Sequence, residues 1–347
     1  KERLDKITDV SDIHISTFHS FCFDVLGDNV MDSGIGIGSG IMSRSSALVW
    51  ALKNIDTFGF EHIELGNNAV NVIEALIDGI STFKDELITP EELSDYLEKK
   101  FNKEVELVED VEQYDYLQKL TDLLKIYVKH QDYLKKSKLI DFDEMITSTI
   151  ALFEKKPNVL SRYHNKFKYL LVDEFQDNNF AQLNLVKLMS PEGNITVVGD
   201  DDQSIYAFRG ASSDSFTQMT EQFKLHSLPL SASFRCPRAV VREAQRFVPH
   251  MQAAGSIEGS VVAATGPLTL QPKLAVICRR NAPLIELAFN ALRQGHAVNF
   301  LGRDFMAGLK ALHKKYPSKE ALRGWLTETM EKSKTDEAKR RAKDRYD

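Results

Sequence analysis

Lys168-Tyr-Leu-Leu-Val-Asp-Glu-Phe-Gln-Asp177 decides the fold. An apolar run delivers two adjacent carboxylates, Asp173 and Glu174, to its end. A short strand that is apolar throughout belongs in a parallel sheet covered on both faces, and ligands bind at the carboxyl ends of such strands. There one carboxylate can hold a hydrated Mg²⁺ while the next orients or deprotonates an attacking water. Asp173 takes the first role in this reading and Glu174 the second.

Ile195 to Val198 in NITVVGD repeats the design, and Leu274 to Cys278 in KLAVICRR repeats it again. Helix-length segments, Asn179 to Met189 and Ala282 to Arg293, follow the first and third strands. Strands alternating with helices predict an α/β fold with a parallel sheet. Ile13 to Thr17, β-branched and short, predicts a further strand leading into TFHSFC. From about Ser45 to Phe153 the pattern is helical. Within it Thr89, Pro90 and Glu92 spell an N-cap, a first helical position and a capping box. Asp141-Phe-Asp143-Glu144 resembles paired catalytic acids but reads as a capped helix start. Lys125, Lys129, Lys135, Lys136 and Lys138, interleaved with Tyr127 and Tyr133, read as a solvated helix face, with contact to a DNA backbone as the second reading. Gly34 to Gly40 reads as a flexible loop.

Length and composition agree. At ~150 residues per domain, 347 residues suggest two domains with room for an insertion. With 43% hydrophobic and 27% charged residues, collagen-like, disordered and membrane-embedded classes are excluded. Three scattered cysteines, Cys22, Cys236 and Cys278, make neither a disulfide framework nor a zinc cluster. The net charge of −6 hides a segregation. Thirteen acidic and five basic residues fall between Lys84 and Asp122, leaving 39 basic against 37 acidic elsewhere, so an anionic ligand could still meet a basic face. No apolar run approaches the ~20 residues of a membrane span, and KERLDKITDVSD has no signal-peptide stretch. These features predict a cytoplasmic protein, nucleoid-associated in a prokaryote or in a virus-infected cell, that does not engage a membrane.

The second strand ends in Gly199-Asp-Asp-Asp-Gln-Ser-Ile-Tyr-Ala-Phe-Arg-Gly-Ala211. Gln203 stands where an amide could sense a terminal phosphate beside the first motif. Tyr206, Phe208 and Arg209 then offer rings and a guanidinium, a stacking platform for single-stranded bases. Asp200, Asp201 and Asp202 read as a metal cluster or a charged turn.

VDEFQD, VVGDDDQSIYAFRGA, LPLSASFRCP at Leu228 to Pro237 and ISTFHSFC at Ile15 to Cys22 together resemble the superfamily 1 DNA helicases of the UvrD, Rep and PcrA type. The resemblance implies P-loop NTPase architecture with two RecA-like cores, ATP and Mg²⁺ as cofactors, and ATP-driven 3′-to-5′ movement on single-stranded DNA and into duplex junctions. It implies that Asp173 binds Mg²⁺, that Glu174 is the catalytic base, and that Gln176 and Gln203 are phosphate-linked coupling amides. Phe234 matches the ring stacked on adenine and Arg235 the arginine that reaches the γ-phosphate. Thr17 and His19 match a motif touching the DNA backbone, and Tyr206, Phe208 and Arg209 one that joins DNA to the ATP site. Phe208 stands where many members have Trp, and Ser233-Phe234-Arg235-Cys236 replaces the commoner Asn-Tyr-Arg-Ser.

One element of the family is missing. The phosphate-cradling Gly-x-x-x-x-Gly-Lys-[Ser/Thr] loop has no counterpart, since no Gly-Lys pair occurs in the chain. The expectation is that this loop lies upstream of residue 1, that the late motifs lie after Asp347, and that the isolated chain is inactive. The expected organisation assigns 1–20 and 160–227 to the first RecA-like core, 21–159 to a helical insertion and 228–312 to the start of the second core. Residues 313–347 form a charged helical tail or the start of a second insertion. A non-catalytic DNA-binding or protein-interaction module derived from a helicase is the alternative.

Overall fold

The computed structural model describes residues 13–35, 38–103, 111–203, 215–266, 268–271 and 273–299, with 318, 320, 323 and 324. Two compact units divide at Ser256 and Ile257.

In the first unit the helices are α1 (Phe18–Asp28), α2 (Val30–Ser33), α3 (Arg44–Lys53), α4 (Ala69–Asp85), α5 (Pro90–Lys103), α6 (Val111–Ser137), α7 (Phe142–Lys155), α8 (Pro157–Lys166), α9 (Phe180–Met189), α10 (Ser215–Phe223) and α11 (Arg238–Ala244). The strands are β1 (Gly40–Ile41), β2 (Leu139–Ile140), β3 (Leu170–Val172), β4 (Ile195–Val197), β5 (Ala232–Ser233) and β6 (Gln252–Ala253). They pair in parallel as β1 with β2, β3 with β4 and β5 with β6. Parallel neighbours need a helical crossover, and α9 and α11 supply it for the last two pairs. The α/β expectation therefore holds as a helix-rich chain with small parallel sheets.

Local sequence explains where the helices start. The Thr89 hydroxyl accepts from the Glu92 N–H at 3.2 Å and the Glu92 carboxylate from the Thr89 N–H at 2.9 Å, closing the expected capping box. Asp141 Oδ1 accepts from the Glu144 N–H at 2.7 Å, so this acidic run is the capped start of α7. Asn179 and Gln182 cap α9 reciprocally. A Cβ at Gly40 of β1 would lie 2.7 Å from Leu139 Cδ2, so a larger residue there would push that side chain aside.

Three cores result. Ile73, Leu76, Ile77 and Ile80 of α4 pack with Leu117, Leu120 and Ile126 of α6. Cys22, Val25 and Leu26 of α1 meet Met145, Ile146, Ile150 and Phe153 of α7. Val172, Phe175, Leu183, Val186 and Met219 close beneath the β3–β4 pair.

The sequence misleads at several places. Ile13 to Thr17 is no strand: it pairs with nothing among the described residues, and the Thr17 hydroxyl is spent as the N-cap of α1, accepting from the Ser20 N–H at 3.2 Å. β3 is covered on one face, while Tyr169 and Leu171 stand exposed; α9 packs only beneath it. Two lysines of the basic stripe of α6 are tied down: Lys125 bonds the Gly59 carbonyl, Glu61 and Asp122, and Lys129 bonds the Thr57 carbonyl, so both hold down the loop before α4, while Lys135, Lys136 and Lys138 stand on the solvated face that the sequence predicts. Tyr127 is core, and Tyr133 stacks on Trp50 at 5.2 Å.

In the second unit α12 (Asn281–Arg293) matches the expected helix and ends at Gly295, whose φ of 81° suits glycine. Leu274 to Cys278 forms no strand: no neighbour among the described residues offers it a ladder, and Ile277 is fully open to solvent. Among the described residues no helix is long and apolar enough to cross a membrane.

Candidate active site

β3 ends at Val172 and the chain turns at once. Glu174 takes the left-handed conformation, φ 50° and ψ 45°, at a cost of about 1–2 kcal/mol for a residue with a Cβ. Phe175, fully buried in the third core, holds it there. The Phe175 N–H donates to the Val198 carbonyl at 2.9 Å and the Val198 N–H to the Val172 carbonyl at 2.8 Å, locking the turn against the end of β4. Such strain concentrates at functional sites. Its effect here is to leave both carboxylates, Asp173 and Glu174, facing solvent at the sheet's carboxyl edge.

Asp173 Oδ1 accepts from the Glu174 N–H at 3.0 Å, and Oδ2 takes no hydrogen bond from the described residues. An open carboxylate oxygen at this edge suits a hard cation such as Mg²⁺. Gln176, by contrast, is 3% exposed. Its Nε2 donates to Glu174 Oε2 at 2.7 Å and its Oε1 accepts from the Asp200 N–H at 3.0 Å. Gln203, in the short turn Asp201–Gln203, donates from Nε2 to Asp200 Oδ2 at 2.6 Å. Glu174, Gln176 and Gln203, picked from two separate motifs, thus meet in one hydrogen-bonded group.

The carboxylates of Asp200, Asp201 and Asp202 lie within 4.8 Å of one another. Asp200 is committed to Gln203 and, through Oδ1, to the Asp202 N–H at 3.1 Å, so it shapes the turn.

Phe234 and Arg235 follow β5, again at the carboxyl end of a parallel strand, and both side chains are exposed, Phe234 at 82%. The Cys236 N–H donates to the Ser233 hydroxyl at 3.2 Å and tightens the turn that presents them. Thr17 and His19 flank Phe18, which packs on the second and third cores and so ties the start of α1 to the β3 turn. His19 meets Phe142 edge-on at 5.5 Å, and burial lowers its pKa, favouring the neutral ring. Tyr206, Phe208 and Arg209 lie outside the described residues.

Sequence reasoning missed two participants. The sequence offers Asp200 as one of three acids of a metal cluster or a charged turn, and its bonds to Gln176 and Gln203 single it out. Asp85 is the second. It accepts from Asn179 Nδ2 at 2.5 Å and ties α4 to the N-cap of α9, two residues past the DEFQD turn. No local signal marks it.

A family model for the UvrD/REP helicase N-terminal domain matches residues 1–224. The ATP-dependent DNA helicase PcrA of Bacillus subtilis is 32% identical over 257 residues, which is 72% of this chain and 31% of that protein. PcrA of Staphylococcus epidermidis is 33% identical over 245 residues, 69% of this chain and 30% of that protein. PcrA of Staphylococcus aureus is 32% identical over 257 residues, again 31% of its length. The chain thus spans under a third of these relatives.

Proposed function

This chain belongs to the UvrD/REP helicase family, and from that premise we propose that the protein containing it is an ATP-dependent DNA helicase that moves 3′ to 5′ on single-stranded DNA and opens duplex junctions. The observation that carries this reading is the meeting of Glu174, Gln176 and Gln203 at the carboxyl ends of two parallel strands.

In the proposed reaction Glu174 takes a proton from water as the water oxygen bonds to the γ-phosphorus. The bond from that phosphorus to the β,γ-bridging oxygen breaks, giving ADP and phosphate. Asp173 would hold Mg²⁺, which when bound neutralises charge on the β- and γ-phosphates. Gln203 meets the terminal phosphate and Gln176 couples it to the base. Phe234 stacks on adenine, and Arg235 stabilises charge on the γ-phosphate from the second core. Thr17 and His19 touch the DNA backbone, and Tyr206, Phe208 and Arg209 carry the DNA-coupled platform. The architecture proposed is RecA-like, with 1–20 and 160–227 in the first core, 21–159 inserted, 228–312 opening the second, and 313–347 a charged tail or second insertion. The site of action is the cytoplasm, on the nucleoid of a prokaryote or in a virus-infected cell. The isolated chain, which has no Gly-Lys pair, should hydrolyse ATP negligibly.

The test is Glu174→Gln in the full-length protein. ATP binding should persist while DNA-stimulated hydrolysis falls by about 10² to 10⁴. Normal turnover in this variant would remove the reading.

A further inference from the structure

Between α3 and α6 runs an open groove of about 470 Å³, a size ordinary for a small-ligand site. Its wall is aromatic. Trp50 is half-buried and fixed by three neighbours: it stacks on Tyr133 at 5.2 Å, meets His130 edge-on at 5.3 Å and leans on Phe58 at 5.7 Å. The rim carries the hydroxyls of Ser45 and Ser46 and the ammonium of Lys53, and no carboxylate lines the groove among the described residues. Lys53 is exposed and makes no ion pair among the described residues. Lys136 stands one turn past Tyr133 on the same face of α6 and meets only the exposed Asp132, at 3.5 Å. Arg44, by contrast, is committed to Glu74 and Asp78, each at 2.8 Å. We propose that this groove is an accessory site for single-stranded DNA, holding one base against Trp50 and Tyr133 and a flanking phosphate beside Lys53. The site goes beyond the function proposed above, which puts DNA at Thr17, His19, Tyr206, Phe208 and Arg209. Only the choice of DNA over another anionic chain rests on that reading.

Three features favour a site over a half-covered core. Tryptophan and tyrosine inside a core spend their polar atoms on partners. Here Trp50 Nε1 and the Tyr133 hydroxyl have no hydrogen-bond partner among the described residues, although both side chains line the groove, so they remain available to a base edge. Next, rings beside unpaired cations make a platform that accepts any base and tracks the backbone by charge. Rings already locked by their neighbours lose little freedom when a base arrives. Finally, charge within the helical region is divided. Glu91, Glu92, Asp95 and Glu98 of α5 stand in solvent, so an anionic chain is repelled there and meets the groove instead.

The experiment is photocrosslinking of the full-length protein to a single-stranded oligonucleotide carrying 5-iododeoxyuridine, with the adducts mapped by mass spectrometry. Adducts should fall on Trp50 or Tyr133 as well as at the start of α1. Ser46→Glu and Lys53→Glu each set a negative charge on the rim without touching the rings. Ser46 is the third residue after the Ser43 N-cap, so glutamate there completes a capping box and the helix is kept. Each variant should lower the groove adducts at least about fivefold while those between Thr17 and Cys22 stay within about twofold. Lys53→Arg keeps the charge and should hold the yield. Groove adducts indifferent to both charge reversals overturn the proposal. So does an unmarked groove that a photoreactive peptide of alternating Asp and Phe labels instead, since the partner is then an acidic protein. Adducts at the start of α1 with none in the groove remove the accessory site alone, whereas a protein that yields no DNA adduct anywhere removes the helicase reading beneath it.

Discussion

Lys84 Nζ lies 2.6 Å from Asp141 Oδ2, with the lysine side chain 1% exposed. The apolar stripe of α4, Ile73, Ile77 and Ile80, therefore ends in a buried cation. Glu144 Oε2, at 3.0 Å, completes its surroundings. Burial alone would push the lysine pKa down, but Asp141 and Glu144 outweigh it and the net direction is up. For Asp141 burial pushes up and the Lys84 ammonium wins, holding the carboxyl below its usual range. The pair thus stays ionised while joining α4 to the cap of α7.

Replacing Lys84 by Met fills the space but leaves Asp141 and Glu144 without their cation. Removing one partner of a buried pair costs about 3–5 kcal/mol. Urea denaturation of Lys84→Met should show a loss of this size, and a loss under about 1 kcal/mol would mean that the acids find water.

Asp85, the next residue, behaves oppositely. Burial first, then the neighbouring Asp143 and Glu86, raise its carboxyl from 3.8 to about 7. The folded state therefore holds a proton that the unfolded chain releases between those values, and this group's contribution to stability falls as pH rises from about 4 to 7. Asp85→Asn keeps an oxygen for Asn179 and removes the titration. Its stability relative to wild type should climb across that window and level off above it, as read from denaturation midpoints at several pH values. A difference constant with pH would show that Asp85 ionises normally.

Asp122 is a fully buried carboxylate wrapped by backbone. It accepts from the N–H groups of Glu61 at 3.0 Å, His62 at 2.7 Å and Ile63 at 2.9 Å, and from Lys125 at 2.9 Å. Burial would raise its pKa, but the His62 N–H, the Lys125 ammonium and the other amides outweigh it and the carboxyl is held down. The stability it adds is present above its unfolded pKa and fades as pH falls. Asp122→Ala strands three N–H groups and should cost at least about 2 kcal/mol near neutrality, with the deficit shrinking in acid. A neutral substitution would show that the loop re-forms without its anchor.

Phe234 is exposed, so its ring contributes little to folding. In the full-length protein Phe234→Ala should change stability by less than about 0.5 kcal/mol. If the ring stacks on adenine, the same change should raise the KM for ATP about 5- to 100-fold, the equivalent of about 1–3 kcal/mol of base stacking. A KM that stays put would end the adenine role.

The parts of this protein legible in its sequence are those decided within three or four residues. Thr89 with Glu92 and Asp141 with Glu144 are caps of that reach, and both form as read. The strand-helix-strand order around Asp173 and Glu174 was legible too, because an apolar run ending in acids has few other stable homes. Tertiary structure alone decided which faces were covered. Leu171 and Ile277 look like core in the sequence and stand in solvent, since an apolar strand is buried only if a neighbour packs on it. It also decided the partners of the charged groups: Lys84 meets Asp141 across 57 residues and Gln176 meets the Asp200 N–H across 24. Helical periodicity gives no hint of such pairings. They exist because α4 runs alongside α7, and because the crossover through α9 returns β4 beside β3 and sets Asp200 over Gln176.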